Sequence, residues 1–296
     1  MEGSEFQKLL NKRGNKFTLM CGAGVAMAIS DDMKNWEDFV DQFARKVKEV
    51  LGLTDNWIEK YRSKDFMDKI DYVEKQINTG WTNYPTEIHR MIAQMILRRP
   101  SLNRPRRGEI LHEVGRLILT TNYDTVIEDC VPNERISMSH VEALTYIDPG
   151  VFHGSKTIGP GCFFAKPLGH FLIHVHGRFF DIGKEHGFCF TPKEYNDNVT
   201  IQTFCNFMEG IVTNTSLVFI GAKGTVKDEH FLKLWENLRG SNKTHYILHG
   251  KKEKEEMQSM TQSIMDDYEV TITPICYGEN HDDLWTFLES CKVLQD

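Results

Sequence analysis

The sequence predicts an α/β fold: a parallel sheet with helices on both faces and a helical insertion after the first strand. Short apolar runs alternate with amphipathic stretches along most of the chain. The strongest runs read as buried strands interleaved with helices, the pattern of a parallel sheet covered on both sides. Glycine or polar clusters directly follow several of these strands. In such sheets ligands bind beyond the carboxyl ends of the strands, near the point where the strand order reverses.

Lys16 to Cys21 reads as the first strand and ends in Gly22-Ala23-Gly24. Trp36 to Leu51 reads as a helix, with Phe39, Val40, Phe43, Val47, Val50 and Leu51 on one face. Met67 to Ile77 and Ile88 to Ile96 read as two more helices, the latter started by Pro85. The stretch from about 36 to 115 thus forms the insertion, and 1–15 reads as an N-terminal tail before one domain over 16–296. Arg98 to Arg107 reads as a basic, proline-broken loop: either a solvated connection or a contact for phosphate or another subunit.

Leu117 to Thr121 is the next strand, followed by Asn122-Tyr123-Asp124. Val141 to Gly169 reads as a long irregular loop rich in glycine and proline. Phe171 to Val175 is a strand ending in His176-Gly177, and Phe188 to Phe190 reads as a short hairpin strand. Ile201 to Ile211 is helical, and Ser216 to Gly221 is a buried strand. Asp228 to Leu238 is a helix with Phe231, Trp235 and Leu238 on one face. His245 to His249 and Val270 to Tyr277 are the last strands, followed by helices from about Glu253 to Met265 and His281 to Cys291.

Composition narrows the function classes. A net charge of −7, with 26% charged and 40% hydrophobic residues, is ordinary for a globular chain. It argues against a protein whose main work is gripping phosphate backbones, so no nucleic-acid partner is expected. No apolar run is long enough to span a bilayer, so no membrane partner is expected. The polar segment from Met1 to Gly14 lacks the apolar core of a signal peptide. The 7 cysteines are widely spaced with no C-x-x-C pair, which reads as reduced thiols in a cytoplasmic or nuclear protein. No metal is expected.

Four unusual sequences fall on one rim. Gly22 and Gly24 after the first strand suit a tight turn with N–H groups facing an anion, or an ordinary strand-to-helix turn. Met27 stands where a dinucleotide fingerprint has its third glycine, and a methionine there is expected to hold the helix off the strand. Asn122 and Asp124 suit hydrogen bonding to a ligand carboxamide and ribose, or a plain turn. His174 and His176 share a side if their strand is regular. His176, nearer the rim, is the better acid–base candidate, and His174 the better buried structural histidine. Gly221-Ala222-Lys223-Gly224 closes the set.

In this order, Gly-Ala-Gly, Thr-Thr-Asn-Tyr-Asp, His176-Gly177 and Phe-Ile-Gly with downstream Asp228, the chain resembles the sirtuin-like NAD hydrolase family. The C-terminal half looks closest to the animal branch called family-with-sequence-similarity one hundred and eighteen. The carrying stretches are His176-Gly177, Tyr195 in TPKEYND, SLVFIGAKGTVKDEHF, His245 to Leu248 and Tyr277-Gly278.

The resemblance implies a Rossmann-like, sirtuin-like fold without a zinc module. It implies NAD as substrate, cleaved to nicotinamide and ADP-ribose, with self-association as a dimer or filament in innate immune or antiviral defence. Gly22, Ala23 and Gly24 are then expected to cradle the pyrophosphate, together with Val25. Asn122 orients the nicotinamide ribose or the attacking water, Asp124 lies near the nicotinamide, and His176 is the catalytic base. Gly221 borders the adenosine side, Asp228 fixes that loop, and Thr121, Lys223 and Tyr277 join the binding residues. Ala26 stands where members often carry serine, and Ala222-Lys223 replaces the common Tyr-Ser. No four-cysteine zinc spacing is present in the sequence, which disfavours deacylation. The alternative expectation is a catalytically weak NAD or ADP-ribose sensor or scaffold.

Overall fold

The computed structural model describes residues 3–10, 16–33, 36–64, 101–115, 117–131, 135–139, 170–177 and 198–291, with 68–69, 72–73, 75–76 and 95 between them. The expected helix at Met67 to Ile77 is helical at 68–69, 72–73 and 75–76. Apart from Met95, the expected helix at Ile88 to Ile96 lies outside the described residues, as do the loop from Val141 to Gly169, the strand Phe188 to Phe190, and Tyr195.

Among the described residues seven strands form one sheet: β1 (Phe17–Cys21), β2 (Leu117–Thr120), β3 (Arg135–Ser139), β4 (His170–His174), β5 (Ser216–Ile220), β6 (Thr244–Gly250) and β7 (Thr271–Gly278). Their order is β3-β4-β2-β1-β5-β6-β7, and every neighbouring pair is parallel. The parallel α/β sheet expected from the sequence is therefore present. Strand β3 was not expected. Its sequence alternates Ile136 and Met138 with polar residues, as an edge strand does, and lacks the continuous apolar run that marks the central strands.

The continuous runs follow from the pleat. Successive side chains point to opposite faces, so a strand covered on both faces needs apolar residues at every position. Met20, Leu117, Leu119, Ile173, Leu217 and Phe219 enter one core, while Leu19, Cys21, Ile118, Leu172, Val218 and Ile220 enter the other. Each fully buried side chain of this size contributes about 1.5–3 kcal/mol relative to exposure.

Helices α7 (Asn198–Asn214), α8 (Glu229–Asn237) and α9 (Lys254–Tyr268) cover the first face. Phe204, Phe207, Met208 and Ile211 of α7 recur at helical spacing, and all are buried there. The second face carries α1 (Gly3–Leu10), α2 (Ala23–Ile29), α5 (Pro105–Val114), α6 (Val126–Cys130) and α10 (Asp283–Ser290). Helices α3 (Trp36–Leu51) and α4 (Asp55–Arg62) build a separate cluster in the insertion around Phe43, Trp57 and Tyr61.

Two segments depart from the sequence reading. Residues 3–10, read as tail, form α1, because Phe6, Leu9 and Leu10 fall on one helical face. The Phe6 ring lies 4.8 Å from Tyr246 and 6.2 Å from Phe287, with Phe6 and Leu10 fully covered. The expected basic loop is helical from Pro105, which needs no N–H at the first helical position. Arg104 pairs with Asp31, Arg106 with Glu109, Glu113 and Glu289, and Arg107 with Asp282. The acids of the fold itself thus answer these three arginines. Of the described thiols, Cys21, Cys205 and Cys291 are buried, and Cys130 and Cys276 are half-buried.

One buried histidine ties two strands. The Leu217 N–H donates to His245 Nδ1 at 3.1 Å. Burial, aided by the Lys243 ammonium, holds the His245 pKa down to about 4. Below pH 6.5 the unfolded chain binds a proton that the folded one refuses. Stability is therefore expected to be full above pH 6.5 and to fall as pH drops from 6.5 toward 4. Urea midpoints across this range check it: His245→Gln, which keeps an acceptor and does not titrate, should show a shallower fall than wild type.

Candidate functional site

Strand β1 leads on one side to β2 and on the other to β5, so the strand order reverses between β1 and β5. At their carboxyl ends two backbones nearly touch. Gly22 N–H donates to Ile220 O and Gly24 N–H to Gly221 O, both at 3.0 Å. A Cβ on Gly22 would lie 2.6 Å from Ala222 Cα, and one on Gly24 2.9 Å from Gly221 Cα. Gly221 itself has φ +58°, and its Cβ would stand 2.7 Å from Val25 N. The glycines therefore serve this contact first. Two N–H groups expected to face a pyrophosphate are committed to β5. The surface left is the exposed backbone of Gly24, Gly221 and Gly224 beside half-buried Ala23. Met27 does not hold helix α2 off the sheet. It is 38% exposed, because the helix turns Val25, Ala26 and Ile29 inward instead.

The end of β2 joins the same rim. Thr121 N–H donates to Cys21 O at 3.2 Å, and its hydroxyl meets that of Thr225 at 3.3 Å. Buried Asn122 donates from Nδ2 to Gly22 O at 3.3 Å and from its backbone to Thr120 Oγ1 at 3.1 Å. Asp124 accepts the Val126 N–H at 3.0 Å, so its carboxylate serves the start of α6. Burial pushes the Asp124 pKa up to about 6.

His174 and His176 do not share a side. Strand β4 stops at His174, and the chain turns through Val175 and His176 to Gly177 at φ +86°. The alternation of the strand ends with it. His174 meets Asn122 O through Nδ1 at 2.7 Å and Glu128 Oε1 through Nε2 at 2.8 Å. Both partners are acceptors, so both ring nitrogens donate, and the ring is an imidazolium paired with a carboxylate. Burial opposes the Glu128 charge, but the His174 charge and hydrogen bond outweigh it and hold the Glu128 pKa below its ordinary value. Ser137 Oγ donates to the same oxygen at 2.9 Å. This pair fixes the backbone of Asn122, and hence the root of its amide.

His176 goes the other way. Its Nε2 lies 3.8 Å from Asp228 Oδ1, and its ring is 5.4 Å from that of His230, edge to face. Phe204 of α7 stacks on His230 at 4.9 Å and lies 6.3 Å from His176. Burial alone lowers the His176 pKa to about 3, so the ring is neutral at pH 7. Asp228 caps α8 by accepting the His230 N–H at 2.9 Å, and burial raises its carboxyl pKa. Trp235 Nε1 donates to Val226 O at 3.0 Å and braces the turn before the cap. Among the described residues, the ligand-capable atoms of His176, Asp228 and His230 all lie within 4.8 Å of one another.

The structure thus gathers Gly22, Ala23, Gly24, Thr121, Asn122, His176, Gly221 and Asp228 on one rim. Others stand apart. Lys223 is exposed and paired with Glu256 of α9. Tyr277 lies on β7, two strands and so about 10 Å from β5. Its hydroxyl meets His281 Nδ1 at 2.9 Å, and burial pushes its pKa up to about 12. Sequence reading missed His230, Phe204 and Glu128. Only the Asp-Glu-His spacing at 228–230 carries a local signal, since it places cap and histidine at one helix start.

A family model described as a SIR2-like domain matches residues 116–272, from the start of β2 into β7. The chain belongs to the SIR2-like family. Curated proteins yield no match. SIR2-like domains are often NAD-dependent enzymes, and membership supports an interaction with NAD. The SIR2-like segment contains Asn122, His176, Asp228 and His230, while β1 and its glycine turn precede it. No helix among the described residues is long and apolar enough to cross a membrane.

Two substitutions test this rim by stability. Gly22→Ala forces a Cβ into the β5 backbone and is expected to cost about 1–3 kcal/mol by overpacking. His174→Ala strands Glu128 as a buried charge and is expected to cost about 3–5 kcal/mol. Urea denaturation at pH 7 measures both, and a wild-type midpoint for either would remove the corresponding contact from the account.

Proposed function

We propose that this SIR2-like chain is an NAD glycohydrolase that cleaves NAD to nicotinamide and ADP-ribose. The observation that carries the reading is His176: a buried, neutral imidazole at the end of β4, on the same rim as Asn122 and the glycine turn. The exposed backbone of Gly24, Gly221 and Gly224 offers a dinucleotide a surface free of side chains. In this reading NAD lies across the β1–β5 switch point. Ala23 and Val25 border its pyrophosphate, and Gly221 its adenosine side.

The chemistry is loss of neutral nicotinamide as the C–N glycosidic bond breaks, through an oxocarbenium-like state. Water then adds to the ribose carbon and gives up a proton. Asn122 orients that water or the ribose, and His176 accepts the proton. The Asp228 carboxylate at 3.8 Å supplies a countercharge to the imidazolium that forms. Asp124 acts through the backbone it caps. Thr121 joins the rim to Thr225, while Lys223 and Tyr277 take no part. Placement in the animal branch belongs to this reading, as do control by dimer or filament assembly, a cytoplasmic setting and a role in innate immune or antiviral defence.

One observation favours a second reading. An imidazole held near pKa 3 is a poor proton acceptor, which suits a weakly catalytic NAD or ADP-ribose sensor. Incubation of purified protein with NAD, at low and high protein concentration, separates the two. Nicotinamide release is expected to rise with concentration and to fall by about 100- to 10,000-fold in His176→Ala. Asn122→Ala is expected to fall with it. Tight NAD binding without release selects the sensor, and wild-type turnover in His176→Ala overturns the assignment of the base.

A further inference from the structure

The two histidines and the carboxylate at the rim have a property beyond base catalysis. His176 comes from the turn after β4, and Asp228 and His230 from the cap and first turn of α8. Strands β4 and β5 are not neighbours, yet the segment after β5 crosses the rim, as the Thr121–Thr225 contact records. It brings one ligand atom from each of the three residues to within 4.8 Å of the others.

We propose that His176, Asp228 and His230 form a transition-metal site of the zinc class. Two imidazoles and one carboxylate are the donor set of three-ligand zinc sites, which leave a fourth position open. Imidazole nitrogen selects zinc, iron or cobalt over magnesium and calcium, which prefer all-oxygen shells. Donors bound at about 2.0–2.2 Å in a tetrahedron stand about 3.4 Å apart. The 3.8 Å edge between His176 and Asp228 therefore needs to close by only about 0.4 Å.

Two further features fit. Asp228 is held by the His230 N–H at 2.9 Å, and the His230 ring by stacking on Phe204 at 4.9 Å, so two of the ligands are already oriented. The site sets one carboxylate beside two imidazole rings, and a dication answers the charge of the carboxylate.

The consequence for activity rests on the proposed hydrolase reading. A metal on His176 Nε2 occupies the electron pair that would accept the proton from water. Metal uptake and NAD hydrolysis then exclude each other, and zinc acts as an inhibitor.

The test uses the full chain, stripped with a chelator and then titrated with zinc or cobalt alone. Bound zinc after dialysis is measured by mass spectrometry, and cobalt by its visible absorption. About one zinc per chain is expected. Binding is expected to weaken in Asp228→Asn and His230→Gln by at least the roughly 10- to 100-fold that loss of an outer-shell partner costs. Circular dichroism checks that each variant is folded. If His230→Gln is not, Asp228→Asn and the wild-type cobalt spectrum decide. A tetrahedral spectrum without a thiolate charge-transfer band supports the site. A thiolate band, unchanged binding in a folded variant, or no uptake overturns it. Full NAD hydrolysis without zinc uptake sinks this inference alone. Zinc uptake by a chain that never releases nicotinamide supports the site and sinks the hydrolase reading alone.

Discussion

The close approach of two backbones at the carboxyl ends of β1 and β5 is the constraint on which the rim depends. Gly22 and Gly24 have no side chains, so the first turn can rest directly on Gly221 and Ala222. The hydrogen bonds from Gly22 and Gly24 lock that seat. Asn122 then reaches Gly22 O, and Thr121 reaches Thr225 across the same seam. A wider separation here would pull apart the Thr121–Thr225 contact, which bridges the end of β2 and the segment after β5. The glycines are thus needed for assembly of the crevice before any ligand arrives.

Around this seam the chain spends its buried polar groups in two different ways. His174 and Glu128 form a charged pair with its ring donors and one carboxylate oxygen satisfied, which is the condition under which a buried pair is tolerable. It works as a brace, fixing a carbonyl of Asn122. His176, Asp228 and His230 sit at longer distances, and burial disfavours charge on His176 and Asp228 alike. Such groups respond strongly to whatever charge enters, because the surround screens it poorly. Two residues apart on one strand end, the chain has built one rigid pair and one responsive cluster.

The sheet was legible because burial on both faces writes itself into sequence as unbroken apolar runs. Every strand of that kind lies within a residue or two of its expected place. Strand β3 escaped because an edge strand needs no such run. Helix α1 escaped because only Phe6, Leu9 and Leu10 mark its face within a polar segment. The rim residues were legible as sequences that follow strands, but their partnerships were not. Nothing local says that His174 and His176 part company, since that depends on where β4 ends and on Gly177 at φ +86°. Nothing local joins Glu128 to His174 or Phe204 to His230, because those contacts are made by separate helices meeting over the sheet.

Helix α1 has a consequence for how the molecule is made. Phe6 and Leu10 find their cover against Tyr246 on β6 and Phe287 on α10, at the far end of the chain. Gln7 likewise reaches Ser290. A ribosome adding about 5–20 residues per second needs roughly 15 to 55 seconds to make that cover. Over that interval the apolar face of α1 has Phe17 of β1 beside it but not its cover from β6 and α10. Docking of α1 onto β6 and α10 is therefore a late event of folding.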